Sequence, residues 1–237
     1  MLITGAGKRI GREIALSLGQ SGYPVAVHYG KSKAEAEDVL KEIENTGGSG
    51  ATIQADLTDY DEVRNLVDAA AKKTGQPVTV LINNAAFFKD NSIRDFSNAD
   101  WDTSLDTNLK APAVLAQAFA VALPKDLEGA IINMIDQRVL KLDAEYLTYT
   151  ISKHALWSLT RILAVELAPA VRVNAIAPGP TLGNIYQTGE DFKKEAASTL
   201  LGRGPKLSEI TSAVNFLLDT PSITGQMITL DGGQHLQ

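Results

Sequence analysis

The chain alternates between short apolar runs and longer segments in which apolar residues recur every three or four positions. Short apolar runs bounded by glycine, asparagine or proline are typical of buried strands, whereas the three-to-four spacing is typical of amphipathic helices. One predicted strand begins at Ile131 and ends at Asp136. The other predicted strands cover residues 1–4, 24–29, 51–55, 78–82, 171–177 and 227–230.

The segments between these strands have the length and periodicity of helices, among them residues 33–46 and 208–219. Residues 91–123 are predicted to be helical with a break, because Pro112 would kink the helix near Asn108. Strands that alternate with helices predict an α/β fold, a Rossmann-type three-layer α/β/α sandwich with a parallel sheet of about seven strands. We expect a single domain over residues 1–237, in which the polar, glycine-punctuated segment 182–207 forms a substrate-binding lid.

Composition narrows the classes of function. A net charge of −6 and a pI near 5.1 argue against a nucleic-acid partner. The chain has no cysteine, which excludes disulfides and thiol catalysis, and no apolar run reaches membrane-spanning length. No signal peptide is visible, so a cytoplasmic location is expected. His28, His154 and His235 lack the spacing of metal ligands and predict no metal site.

A glycine-rich turn, Gly5-Ala6-Gly7-Lys8-Arg9-Ile10-Gly11, follows the first strand and opens a helix. Such a turn lets backbone N–H groups approach a pyrophosphate at a helix N-terminus. The alternative is an ordinary tight turn. The next strand, residues 24–29, completes a β-α-β unit and favours a dinucleotide site.

The end of the second strand indicates which dinucleotide would bind. In NAD-specific sites a carboxylate about 20 residues after the turn binds the ribose hydroxyls. Residues 28–32 contain no carboxylate, whereas Lys31 and Ser32, together with Arg9, suit a 2′-phosphate. The pattern therefore favours NADPH; alternatively, Lys31 and Ser32 only open the next helix, with Ser32 as its N-cap.

Polar or small residues also follow the third and fourth strands. Asp56 lies where ligands bind in such sheets and could meet an adenine amino group, or it could cap the helix that begins near Asp59. Asn83-Asn84-Ala85-Ala86 would let the backbone line a cofactor groove. Phe88, the second of two aromatic residues that leave this strand, could lie over a ligand or only partly in the core.

Tyr149 and Lys153 lie four residues apart in the longest predicted helix, so their side chains share one face. A lysine ammonium beside a phenol favours the ionised phenol and lowers its pKa, which suits general acid–base chemistry. Pairs of this type also occur by chance on solvated helices. Asn108 is a polar residue amid apolar neighbours and needs a hydrogen-bonding partner, as a water-holding group or as a buried structural amide.

Taken together, these motifs resemble the short-chain dehydrogenase/reductase family over the whole chain. The matching pieces are Thr4-Gly5-Ala6-Gly7 with Gly11, Asp56-Leu57, Asn83-Asn84-Ala85, Asn108, Tyr149 with Lys153, Pro178-Gly179 and Leu230-Asp231-Gly232-Gly233. Two departures, Arg9 in place of a middle glycine and Asp136 in place of a serine, resemble the pteridine reductase branch, including dihydromonapterin reductases. His28-Tyr29-Gly30-Lys31-Ser32 and the aromatic residue Phe88 resemble the same branch.

This resemblance implies an NADPH-dependent reductase of dihydropterin C=N bonds. It implies that Tyr149 donates a proton, that Asp136 supplies or orients it, that Lys153 holds the ribose and that Asn108 fixes a relay water. Phe88 would stack on the substrate, and Arg9 would serve the cofactor phosphate and the substrate edge. The implied cofactor contacts are Gly5, Lys8, Arg9, Ile10, Lys31, Ser32, Asp56, Leu57, Asn83, Ala85, Tyr149, Lys153, Pro178 and Gly179.

Two other functions stay open at this point. A carbonyl or 3-oxoacyl reductase needs Tyr149 and Lys153 but normally a serine at position 136. The third possibility is a regulator that binds NADPH without turnover, although the intact set of Tyr149, Lys153 and Asn108 argues against it. The family usually forms homotetramers, and an apolar face of Leu156, Leu159 and Leu163 is compatible with such an interface or with ordinary core.

Overall fold

The computed structural model describes the whole chain, Met1–Gln237, around one sheet of seven parallel strands. The strands are β1 (Leu2–Ile3), β2 (Val25–Tyr29), β3 (Gly50–Gln54), β4 (Val80–Asn83), β5 (Gly129–Met134), β6 (Val171–Pro178) and β7 (Met227–Leu230). Their order across the sheet is β3-β2-β1-β4-β5-β6-β7. Each predicted strand is therefore present, with ends shifted by at most two residues.

Eight α-helices connect the strands and cover both faces of the sheet. They are α1 (Arg9–Gln20), α2 (Lys33–Asn45), α3 (Tyr60–Thr74), α4 (Asn98–Leu105), α5 (Ala111–Ala122), α6 (Leu147–Glu166), α7 (Gly189–Ser198) and α8 (Leu207–Asp219). No helix combines the length and the apolar character that crossing a membrane would require.

The sheet separates two large apolar cores. Successive strand side chains point to opposite faces, so Ile3 and Val27 join the core under α1, α2 and α8, while Leu2 and Ala26 join the core under α3, α5 and α6. These layers confirm the predicted three-layer α/β/α sandwich. Burial on both faces explains why inner strands such as β2 and β5 are largely apolar.

The predicted helix over residues 91–123 is wrong at its start. Residues 91–97 form turns, and α4 begins only at Asn98, because Ser97 and Asp100 form a reciprocal capping box. The predicted break is present as a π-helical turn, Asp106–Lys110, which joins α4 to α5 with Asn108 at its centre. Pro112 lies in the first turn of α5, where its missing N–H is not needed.

The strand order creates a crevice between β1 and β4. The chain moves from β1 outward to β3, then returns to β4 on the other side of β1 and continues to β7. At such a switch point the loops after adjacent strands diverge, and ligands bind at the carboxyl ends of the strands. The turn after β1 and the segments after β4, β5 and β6 contain most of the predicted site residues.

Candidate active site

The glycine-rich turn after β1 is held in place from both sides of the crevice. The backbone N–H of Gly5 donates to His28 Nδ1 at 3.1 Å, and Asn84 Nδ2 donates to the carbonyls of Thr4 and Gly5 at 2.9 and 3.1 Å. A Cβ atom on Gly11 would lie 2.4 Å from both Gly5 O and Asn84 Nδ2. Only glycine therefore permits this close approach of α1 to the turn.

Two helix N-termini meet this turn, and no side chain caps either of them. Neither Lys8, before α1, nor Ser32, before α2, makes a side-chain capping bond. A Cβ atom on Gly7 would lie 3.2 Å from the backbone N of Ala36 and 3.3 Å from Ser32 Oγ, so the turn packs on the start of α2. Free N–H groups at helix N-termini attract anions, and this arrangement fits a phosphate-bearing dinucleotide.

The charged residues around these N-termini differ in whether they already form an ion pair. Lys8 pairs with Glu35 at 2.6 Å, and this hydrogen bond lowers the Glu35 pKa. Lys31 is exposed and makes no ion pair within 4.0 Å. Ile10 is half-buried and packs against the core. Lys31 and Ser32 are thus the groups with unused donors beside α2.

Asp56 does not cap the following helix, so that alternative is wrong. Asp59 caps α3 by accepting from the N–H groups of Asp61 and Glu62. Asp56 accepts from Thr58 N and Oγ1 at 2.9 and 2.8 Å, which lowers its pKa. Its exposed carboxylate stays at the end of β3. Leu57 packs its side chain against the core under α3, so only its backbone faces the site.

Asn83 and Asn84, at the end of β4, have different roles that the sequence pattern did not reveal. Asn83 is 2% exposed and donates to Asn133 Oδ1 at 2.8 Å, so its side chain lies within the sheet. Asn84, absent from the predicted cofactor contacts, holds the glycine-rich turn. Ala85 packs on the same turn, because a Cβ atom on Gly5 would lie 3.0 Å from Ala85 Cα.

The end of β6 forms the opposite wall of the crevice. Pro178 is buried, and Gly179 packs so closely on Asp231 that a Cβ atom on it would lie 2.6 Å from Asp231 Cβ. Asp231 accepts from the N–H groups of Gly233 and His235, and from His235 Nδ1 at 2.7 Å. The segment after β7 therefore fixes the loop after β6.

Asn108 joins three parts of the site through its buried amide. Its Oδ1 accepts from Phe87 N at 2.7 Å, and its Nδ2 donates to Phe87 O at 2.9 Å and to Ser152 Oγ at 2.9 Å. Both N–H groups of the amide and one lone pair of its oxygen are therefore used. This geometry matches the structural interpretation of Asn108, which ties the segment after β4 to α6.

Asp136 and Tyr149, thirteen residues apart, meet in the crevice. Tyr149 Oη donates to Asp136 Oδ2 at 2.9 Å, and Arg138 N donates to Asp136 Oδ1 at 2.9 Å. Lys153 is 2% exposed and donates from Nζ to Met134 O at 2.7 Å; its Nζ lies 5.6 Å from the Tyr149 ring centre. The three predicted groups therefore lie together at the end of β5.

The expected lowering of the Tyr149 pKa is wrong for this arrangement. Burial and the Asp136 carboxylate raise the Tyr149 pKa well above its ordinary value. Burial also raises the Asp136 pKa, although the Arg138 N–H opposes the shift, and it lowers the Lys153 pKa to about 8. Desolvation disfavours every charged form here, so Tyr149 keeps its proton at neutral pH and suits the role of a donor.

Phe88 lies beside this group, half-buried among three tyrosines. Its ring stacks on Tyr146 with centroids 4.6 Å apart and meets Tyr149 in a T-shaped contact at 4.7 Å. Tyr186, from the segment predicted to be a lid, lies 6.1 Å away. Tyr146 and Arg138 were missed from the sequence, since neither belongs to a motif nor lies in a regular apolar pattern.

Arg9 contacts the segment 182–207 directly. Its backbone φ is 55°, a left-handed conformation that is rare outside glycine. Its guanidinium donates to Gly183 O at 2.9 Å and to Leu182 O at 3.2 Å. Arg9 therefore joins the glycine-rich turn to the segment 182–207.

Comparisons with known proteins show to which family the chain belongs. Residues 5–235 match a family model described as enoyl-(acyl carrier protein) reductase. The 3-oxoacyl-[acyl-carrier-protein] reductase FabG of Staphylococcus aureus is 35% identical over 240 residues, covering 99% of this chain and 97% of that protein. NADPH-dependent aldehyde reductase 2, chloroplastic, of Arabidopsis thaliana is 32% identical over 250 residues, covering 98% and 92%.

Among solved structures, FolM alternative dihydrofolate reductase 1 from Brucella suis, in complex with NADP, superposes with a TM-score of 0.96 at 44% identity. The match covers 100% of this chain and 94% of that one. A short chain dehydrogenase from Burkholderia cenocepacia, also in complex with NADP, superposes with a TM-score of 0.91 at 32% identity, covering 98% and 96%. The chain therefore belongs to the short-chain dehydrogenase/reductase family of oxidoreductases.

Proposed function

We propose that this enzyme uses NADPH to reduce a C=N bond of a dihydropterin. The observation that carries the proposal is the hydrogen bond from Tyr149 Oη to the carboxyl of Asp136, with the Phe88 ring in contact with Tyr149. An acid, a phenol and a flat aromatic side chain suit a substrate that is itself flat and gains a proton. The similarity to a FolM alternative dihydrofolate reductase supports this substrate class.

The residues around the crevice fit NADPH. The uncapped start of α1 would receive the pyrophosphate, and Lys31 with Ser32 would hold the 2′-phosphate beside α2. Asp56 would meet the adenine, and Lys153 would hold the nicotinamide ribose. The complexes of the FolM protein and of the Burkholderia dehydrogenase with NADP support this choice.

The protein groups supply the proton in this reaction. NADPH held in this crevice would supply a hydride to the ring carbon, and the adjacent nitrogen would then need one proton. Tyr149 Oη gives that proton, and protonated Asp136 replaces it across the 2.9 Å hydrogen bond, so the tyrosinate does not persist beside a carboxylate. The raised Asp136 pKa supports this role, because the protonated acid is more populated than it is in water.

A second function is favoured by a specific finding. The curated FabG relatives are named 3-oxoacyl-[acyl-carrier-protein] reductases and align over nearly the whole chain. A carbonyl substrate would use the same Tyr149 and Lys153. The residue that separates the two functions is Asp136, since a serine hydroxyl in its place could orient Tyr149 but could not replenish its proton.

The segment 182–207 is proposed to be the substrate lid. It includes α7 and contacts the site through Arg9 and Tyr186. Glu195 in α7 accepts from Gln187 and from Gln234, which ties the segment to the chain terminus. These polar bonds could break and re-form during substrate entry at small net cost.

We also propose a homotetramer, but the three leucines named from the sequence do not form its interface. Leu156 lies in the core, and Leu159 and Leu163 pack against it, so this face is ordinary core. The exposed apolar side chains on α5 and α6 include Val121, Ile162 and Val165. Light scattering would measure the mass of the wild-type protein and of an Ile162→Lys, Val165→Lys variant. An unchanged mass would mean that this face of α6 is not part of the interface.

The function is tested by following NADPH oxidation with a dihydropterin, a 3-oxoacyl thioester and simple ketones. We expect turnover with the dihydropterin at least tenfold above the others. In an Asp136→Asn variant, which keeps hydrogen bonding but cannot supply a proton, kcat should fall by about 10²–10⁴. The wild-type decline in rate as pH rises through the raised Asp136 pKa should be absent from the variant.

Asp95→Asn is the matched control, because Asp95 is an exposed carboxylate that accepts from Ser92 N and Oγ and makes no hydrogen bond to a proposed site residue. It should retain wild-type turnover. Near-normal dihydropterin reduction by Asp136→Asn would remove Asp136 from the mechanism. Faster reduction of the 3-oxoacyl thioester than of the dihydropterin would favour the second function.

A further inference from the structure

Phe88 is held by protein contacts before any ligand arrives. Its ring stacks on Tyr146 with an interplanar angle of 28°, and it meets Tyr149 nearly at a right angle, at 79°. Offset stacking and edge contacts are the two favourable geometries for aromatic pairs. A rotation of Phe88 away from Tyr149 would therefore also lose the stack on Tyr146.

Tyr146 adopts a backbone conformation that a bulky residue rarely accepts. Its φ and ψ are 55° and 45° at the position before α6, yet the residue is 7% exposed. Such a left-handed conformation persists only where the surroundings over-determine it, and it is typical of functional sites. The contacts of the Tyr146 ring are the features that hold it there.

Arg138 provides the second of those contacts. Its guanidinium carbon lies 4.6 Å from the centre of the Tyr146 ring, within the range of a cation–π interaction. The same guanidinium pairs with Asp143, and the side chain is only 15% exposed. The backbone N–H of Arg138 donates to Asp136 Oδ1 at 2.9 Å. One residue thus holds both the acid and, through Tyr146, the Phe88 ring.

We propose that Arg138 and Tyr146 are positioning residues that hold Phe88 as a rigid aromatic wall and so select flat heterocyclic substrates over extended acyl chains. The series of guanidinium, Tyr146 ring and Phe88 ring places three planar groups side by side next to Tyr149. An extended aliphatic chain gains little from this wall, whereas a flat ring gains a stacking contact. The substrate part of this inference rests on the proposed function, and the positioning part does not.

The first measurement follows Phe88 itself and needs no substrate. The full chain, with its six phenylalanines, is labelled with 4-fluorophenylalanine, and the Phe88 resonance is assigned with Phe88→Leu. Tyr146→Leu and Arg138→Met should shift or broaden this resonance. Tyr146→Phe, which keeps the ring, should leave it nearly in place.

The second measurement follows ligand binding. The dissociation constant of an oxidised pterin in the presence of NADP⁺ should increase about threefold to tenfold in Tyr146→Leu, the range expected for one lost aromatic pair. The KM for dihydropterin should rise by a similar factor with kcat little changed, because the stack acts in the ground state and in the transition state alike. The KM for a 3-oxoacyl thioester should stay within twofold, as should NADPH affinity.

Tyr60 and Arg64 provide a matched control, since the Arg64 guanidinium lies 6.0 Å from the Tyr60 ring on the exposed face of α3. Tyr60→Leu and Arg64→Met should change neither the Phe88 resonance nor pterin binding.

An unmoved resonance in Tyr146→Leu overturns the positioning role, whether or not the protein binds pterins. A moved resonance with unchanged pterin binding overturns the selection of flat substrates. A wild-type protein that binds no pterin overturns that selection and the proposed function together, and the resonance alone then decides the positioning role.

Discussion

His28 offers a test of how the cofactor turn depends on pH. This residue is 1% exposed and lies between two strand ends. Its Nδ1 accepts the Gly5 N–H at 3.1 Å, so the ring proton is on Nε2, which donates to Ala55 O at 3.1 Å. The bond from Gly5 requires the neutral imidazole, because a protonated Nδ1 cannot accept, whereas Nε2 donates to Ala55 O in either state.

Burial lowers the pKa of His28 from 6.5 to about 4. A group whose pKa is lower in the folded state contributes stability above its unfolded pKa, and this stability is lost as the pH falls toward the folded pKa. At 1.36 kcal/mol per pKa unit, the full contribution is about 3 kcal/mol and is completely lost only below pH 4. Between pH 8 and pH 5 the expected loss in the free energy of unfolding is about 2 kcal/mol.

Urea unfolding at pH 8 and pH 5 measures this loss. Other groups also titrate in this interval, so the quantity of interest is the difference between the wild type and His28→Gln, which can accept from Gly5 and donate to Ala55 without titrating. The variant should lose about 2 kcal/mol less than the wild type. An identical pH dependence in wild type and His28→Gln would refute the reasoning.

Three further substitutions test other contacts. Gly11→Ala should raise the Kd for NADPH at least tenfold, measured by fluorescence titration, because the new Cβ atom meets Gly5 O and Asn84 Nδ2 at 2.4 Å; unchanged affinity would contradict the tight approach. Asn108→Leu should lower the free energy of unfolding by about 3 kcal/mol, since it leaves the N–H and C=O of Phe87 without partners; urea unfolding with a loss below about 1 kcal/mol would contradict this. Arg9→Gly relieves the left-handed backbone but removes the hydrogen bonds to residues 182–183. Limited proteolysis should therefore cleave residues 182–207 faster, while Tm changes little. Unchanged cleavage would mean that Arg9 does not hold the proposed lid.

Periodicity along the chain was enough to predict the fold. Inner strands such as β2 and β5 are buried on both faces and therefore form apolar runs, which stand out between helices with polar faces. The misplaced start of α4 shows where this signal weakens. Residues 91–97 include apolar side chains, yet the capping box of Ser97 and Asp100 decides where the helix begins.

Local spacing also predicted part of the site. Tyr149 and Lys153 are four residues apart, so one helix brings them to one face whatever the rest of the fold does. The glycine-rich turn is likewise a local feature, set by the steric needs of its own backbone. Asp136, in contrast, was placed beside Tyr149 only by the resemblance to a known family.

The chain's sequence by itself determined the three-layer fold, the turn at the end of β1 and the shared face of Tyr149 and Lys153. Only the tertiary structure decided that Asn84 rather than Asn83 holds the turn, that Arg138 and Tyr146 support Phe88, and that the Tyr149 pKa is raised. The reason is that periodicity and spacing are properties of one segment. Burial and charge at a side chain depend on atoms from several segments, which only folding brings within a few ångströms.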